Sequence, residues 1–129
     1  MIVRNSAKGI VVHVKQRYEG NFMKGESFRY AFSYRIKITN NTSKTIQIRK
    51  RYWNIVDALN ITEVVEGDGI VGMQPILQPG DVHEYQSGCV LHSHFGMMYG
   101  YYTVLSVDDE VEFKVPIPRF KLVATFALN

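Results

Sequence analysis

With 129 residues, 46% of them hydrophobic, the chain has the size of one domain and can bury about two-thirds of its unfolded surface without a disulfide or metal staple. No apolar run reaches the roughly 18 residues that cross a bilayer, and the opening MIVRNSAKGIVV lacks a secretory apolar core and cleavage site, so a cytoplasmic protein without a membrane anchor is expected. The net charge of +3 hides an imbalance: residues 1–51 hold twelve Lys and Arg against two Glu, and residues 52–129 hold three against ten acidic groups.

Along the chain the apolar residues recur with a period of two. In IVVHVKQRY, Ile10, Val12, Val14 and Tyr18 face one way and His13, Lys15 and Arg17 the other. FRYAFSYRIKI sustains the alternation for eleven residues, with Phe28, Tyr30, Phe32, Tyr34, Ile36 and Ile38 inward and Arg29, Ala31, Ser33, Arg35 and Lys37 outward, the pattern of a half-buried strand. NNTSK at 40–44 is turn chemistry, in which short polar side chains bond their own backbone. TIQIRKRYWNIV and a short ITEVVEG follow as strands, with Tyr52 and Trp53 on opposite faces. PILQPGD then turns at Pro79 and Gly80 into VHEYQSGCVL, and GMMYGYYTVLSV runs through a turn at Asp108 and Asp109 into VEFKVPI. No segment carries the apolar spacing and caps of a helix. Seven or more short strands joined by Gly, Pro and Asn turns define an all-β chain. The expected fold is an immunoglobulin-like or fibronectin type III-like antiparallel sandwich, one domain over 1–129.

GDGIVG at 67–72 spells GxGxxG. A dinucleotide loop requires a helix opening at its last glycine, so that backbone N–H groups face the phosphates. Here MQPILQPGD follows, and Pro75 and Pro79 leave no room for that helix. Gly67, Gly69 and Gly72 are therefore read as turn or close-approach positions in a connection, and no cofactor is expected.

Catalytic and metal constellations are equally thin. Asp81, His83 and Ser87 lie at strand spacings that hold neighbours about 7 Å apart, too far for a triad. Asp108, Asp109, Glu110 and Glu112 surround a turn where charge is solvated. Cys89, the only cysteine, excludes an internal disulfide and a multi-cysteine zinc site and reads as a small hydrophobe. His92 and His94 are the best metal candidates, sharing a face in an extended strand, but Cys89 has the opposite parity. No metal site and no enzyme activity are expected.

RYWNI at 51–55, EGDGIVGMQPILQPGDVHEYQSG at 66–88, FGMMYGYY at 95–102 and VPIPRFKL at 115–122 occur in the order found in the ApaG family. The chain resembles that family over about residues 8–125. The resemblance implies a fibronectin type III-like sandwich; it leaves the molecular role undefined, and the protein binding it brings is ascribed only to related domains in larger proteins. It also brings an association with cobalt and magnesium efflux or resistance, which a chain without a membrane segment could serve only indirectly. Family-type positions fall on residues that include Arg51, Tyr52, Trp53, Gly67, Gly69, Gly72, Gln74, Tyr85, Ser87, Gly88, Gly100 and Tyr102. LHSHFG departs from the pattern, since His94 stands where proline is more usual.

The functional expectation is a protein-interaction module, monomeric or homodimeric, with a protein partner and neither nucleic acid nor membrane. The candidate surface is the connection GDGIVGMQPIL, where Asp68, Ile70, Val71, Met73, Gln74 and Ile76 combine apolar side chains with loop-forming glycines and prolines. Some of them should instead cap the core. Two alternatives remain: a metal-binding protein using His92 and His94, and an anion or nucleic-acid site on the outward basic face of His13, Lys15, Arg17, Arg29, Arg35 and Lys37. The inward parity of the aromatics Phe28 to Tyr34 removes the stacking platform such a site would use, and alternation of basic and acidic strands in one sheet would neutralise the face.

Overall fold

The computed structural model describes residues 2–58 and 62–125; Asn5 is described by its backbone alone. Nine strands and no helix occur among the described residues: β1 (Ile2–Ala7), β2 (Ile10–Lys24), β3 (Ser27–Asn40), β4 (Ile46–Asp57), β5 (Glu63–Asp68), β6 (Ile76–Leu77), β7 (Val82–Leu91), β8 (Phe95–Ser106) and β9 (Val111–Val123). They form two antiparallel sheets, β1-β2-β3-β7 and β5-β4-β8-β9, with β6 added to β4. Without β1 and β6, three strands face four, the fibronectin type III arrangement.

The period of two places the core as expected. Ile10, Val12 and Val14 of β2 and Phe32, Tyr34, Ile36 and Ile38 of β3 are buried against Trp53, Met98, Tyr102, Val104, Ile117, Phe120 and Leu122 of the other sheet. Phe28 breaks the pattern. Its parity is inward, but the β2–β3 hairpin runs past the end of the sandwich, so Phe28 and its cross-strand partner Met23 are both exposed. A bulge between Tyr18 and Gly20 marks where the arm leaves the body of the sheet.

Turn chemistry closes the end of the sandwich opposite that arm. Asn40 is completely buried and fully used: its Nδ2 donates to the carbonyls of Lys44 (2.8 Å) and Leu77 (3.0 Å), and its Oδ1 accepts from the Thr42 N–H (3.0 Å) and hydroxyl (2.6 Å). One side chain thus shapes the β3–β4 turn and fastens β6 to it, because a buried amide must find partners for all its polar atoms.

Charge is arranged otherwise than alternation would give. The basic strands β2 and β3 are direct neighbours, so Lys15 opposes Arg35 and His13 opposes Lys37. β7 offsets this only with Glu84 beside Lys37 and Gln86 beside Arg35, the latter pair hydrogen-bonded at 3.2 Å. In the other sheet Lys50 faces Asp68 across β4 and β5, the expected complementarity.

The two sides of the sandwich also differ. On one, β1 and β2 pack against β9. On the other, the edges of β7 and β5 leave a cleft of about 310 Å³ between the sheets.

Candidate functional site: the glycine-rich turn and the cleft beneath it

Hydrogen bonds fix the segment after β5 at nearly every residue. The Gly69 N–H donates to the Arg49 carbonyl (2.7 Å), and Ile70 and Met73 exchange both backbone bonds, at 2.6 and 2.9 Å. Between them Val71 and Gly72 have φ of 48° and 77°. Two central residues with positive φ make the tight hairpin turn that Asn-Gly normally occupies. The Gln74 side chain donates to the Arg49 carbonyl (3.0 Å), Gln47 donates to the Gln74 carbonyl (3.2 Å), and the Ile48 N–H donates to the Pro75 carbonyl (3.0 Å). The GxGxxG letters thus encode a turn stitched to β4, with strand β6 where a dinucleotide loop would place a helix. Gly69 is forced twice over: its φ is +63°, and an added Cβ would lie 1.9 Å from the Met73 carbonyl oxygen.

The candidate binding residues divide. Ile70 is 1% exposed and caps the core, whereas Val71, Met73 and Ile76 are 60–65% exposed. Asp68 and Gln74 are exposed beside them. A β-branched residue at positive φ is a genuine outlier, and Val71 is one.

Beneath the turn, Arg51 enters the inter-sheet space. A bulge between Ile48 and Lys50 shifts the phase of β4, so Ile46 and Ile48 point inward before it and Arg51, Trp53, Ile55 and Asp57 after it. Arg51 Nη1 donates to the carbonyls of Asp68 and Gly69, each at 3.1 Å. Gly67 makes this possible, since a Cβ there would stand 3.1 Å from both terminal guanidinium nitrogens. Across the cleft the Tyr85 and Tyr102 hydroxyls hydrogen-bond each other, and Ser87 bonds the Tyr34 phenol. Burial pushes all three tyrosines above the usual phenol range, so they face Arg51 as neutral dipoles. Cys89 is likewise pushed up to about 12 by burial, and its Sγ rests 3.8 Å from Met98 Sδ. It packs as a small apolar group.

The other candidates go separate ways. Asp81 lies before β7 and accepts from the Gln78 N–H (2.9 Å), His83 stacks obliquely beside Tyr85, and Ser87 serves Tyr34. His92 and His94 sit in the β7–β8 bend: His92 bonds Asp57, and the His94 ring meets Tyr30 edge-on. Among the described residues no three His, Cys, Asp or Glu side chains converge on one point, and no helix is long and apolar enough to cross a membrane.

An antiparallel β-sandwich of this topology, with a strained turn beside a cleft that Arg51 enters, belongs to the immunoglobulin-like fold class. The ApaG domain model matches residues 21–106. A Protein ApaG of Brucella abortus is 42% identical over 115 residues, 89% of this chain and 88% of that protein, and one of Methylorubrum extorquens is 42% identical over 116 residues, again 89% and 88%. An X-ray structure of a structural-genomics target superposes with a TM-score of 0.85 at 36% identity over 94% of this chain and 90% of that one. A crystal structure from Bordetella pertussis, described as an ApaA protein, gives 0.78 at 36% identity over 88% and 92%. The chain belongs to the ApaG family.

Proposed function

We propose that the protein is a non-catalytic interaction module that presents Val71, Met73 and Ile76 to a protein partner. The observation that carries this reading is Val71. A β-branched side chain held at φ 48° costs of order 1–3 kcal/mol, and at 65% exposure it gains little burial in return. Such strain persists where a contact outside the chain uses it, and the turn's backbone bonds hold the three apolar side chains ready for docking with little further loss of entropy.

The test pairs two substitutions. Val71→Asn installs the residue the turn favours and is expected to raise stability by about 1 kcal/mol, while Met73→Glu places charge on an exposed side chain and should leave stability within about 0.5 kcal/mol. Both should release the partner obtained by affinity capture and reconstituted from purified components. If Val71→Asn destabilises the protein, or if both variants retain the partner, the reading fails.

A second reading rests on the unneutralised face of β2 and β3. Like charges directly opposite each other destabilise a sheet, and Lys15 opposite Arg35 is such a pair. An acidic surface of a partner would relieve it. Retention on an immobilised polyanion should then fall steeply with salt and be lost in Lys15→Glu with Arg35→Glu; retention unchanged by the double variant removes this reading.

A further inference from the structure

The open side of the sandwich has two free strand edges, a charged group at each end and several apolar side chains between them. β7 pairs only with β3 and β5 only with β4, so both lips of the cleft carry backbone N–H and C=O groups without a strand partner among the described residues. Arg51 lies at one end, with no carboxylate paired to it among the described residues; its bonds go from Nη1 to two carbonyls, which leaves Nε and Nη2 without a protein acceptor among the described residues. Glu63 lies at the other end, exposed and likewise unpaired. Between them the apolar side chains Trp53, Ile55, Val65 and Cys89 share the wall with Tyr85 and Ser87. Arg51 stands opposite Gly67 on β5 and its guanidinium lies against that residue, four residues from Glu63, so the two charged positions are about 13 Å apart along the strand at roughly 3.3 Å per residue.

We infer that this cleft receives an extended segment of a partner protein, added as a strand along the free edge of β7, with an acidic side chain on Arg51, an apolar side chain two residues on, and a basic side chain two residues further at Glu63. The spacing follows from the strand itself. Alternate side chains of an added strand point to one face, and residues four apart span the same ~13 Å as the two charges. Main-chain bonds to β7 supply sequence-independent affinity, and the three inward side chains supply selectivity. A guanidinium held in place by the Asp68 and Gly69 carbonyls loses little freedom when it pairs with a carboxylate. The cleft adjoins the exposed tip of the turn at Val71, whereas Met73 and Ile76 do not line it, so substitutions at Met73 separate the two sites.

The probe is a labelled, terminally blocked peptide with Asp, Val and Lys at alternate positions separated by Thr, together with its reversed sequence, since β7 admits a strand in either direction. Fluorescence anisotropy should show one of the two binding at micromolar to submillimolar concentration, with slowed amide exchange in β7. Asp→Asn in the peptide, or Arg51→Gln in the protein, should weaken binding at least tenfold. Glu63→Lys should transfer the preference to a peptide with Asp at both ends; this exposed substitution decides the matter if Arg51→Gln fails to fold. Met73→Glu should leave peptide binding unchanged, which separates the cleft from the turn tip. Failure of both peptides to bind up to millimolar concentration, or binding indifferent to either charge exchange, overturns the inference.

Discussion

Replacing Gly100 with alanine is expected to cost at least about 3 kcal/mol, measured as the loss in urea-unfolding free energy, although only one methyl group is added. Gly100 lies in β8, one of the two inner strands of its sheet, opposite Trp53 on β4 and Ile117 on β9. A Cβ at this position would stand 1.8 Å from the Tyr52 carbonyl oxygen and 3.1 Å from the Trp53 Cα. Those are backbone atoms of a strand held by neighbours on both sides, so they cannot swing aside as the end of a flexible side chain would. Overpacking in a well-filled interior ordinarily costs 1–3 kcal/mol and more where the backbone must move. A loss below about 1 kcal/mol would show that β4 and β8 can separate here without consequence, and that the close approach is not what the glycine provides.

Asp57→Ala should be nearly as damaging, with an expected loss of about 3 kcal/mol. The carboxylate is 6% exposed at the end of β4 and organises the β7–β8 bend: it accepts from the His92 N–H at 2.6 Å, the His92 ring at 3.2 Å and the Ser93 hydroxyl at 2.5 Å. Hydrogen bonds to a charged group contribute roughly 1.5–3 kcal/mol each, and removing the acceptor strands its buried donors. The His92 ring is about half exposed, so solvent screens its share, and His92→Ala should cost less than about 1 kcal/mol. Equal losses in the two variants would place the energy in the ring contact rather than in the buried bonds.

Much of this architecture was legible in the sequence because period two is a strong signal wherever a strand has one wet face. Phe32, Tyr34, Ile36 and Ile38 show this, as does the opposition of Tyr52, which stacks on Tyr101 outside, to buried Trp53. β1 escaped because IVRNSA does not alternate, and an edge strand with few buried side chains leaves little pattern. Phe28 was misplaced because parity states direction but not whether a facing sheet extends that far. The division of charge was misread because pairing β2 with β3 is a property of topology, which composition does not contain.

Of the site, the turn was read correctly as a connection but not as a hairpin, since Val71 occupies the position where Asn would have announced one. In the sequence Arg51 stands out only as a family-type position. Its inward direction follows from the bulge after Ile48, and the sequence did hold a sign of it: in IQIRKRYWNI the apolar residues change from even to odd numbers, which a regular strand cannot do while keeping one face buried.

Trp53 is the chain's only tryptophan, and its place gives the molecule a built-in optical reporter. The indole is 3% exposed, flanked by Tyr34 and Phe120 at ring-centroid distances of 5.5 and 6.0 Å, and it forms part of the cleft wall. Its emission therefore senses two events at once, the loss of the packed interior and the arrival of any group between β5 and β7. Because no second indole dilutes the signal, unlabelled material suffices to follow both, and the wild-type chain can be studied at concentrations where dyes would themselves compete for an apolar wall.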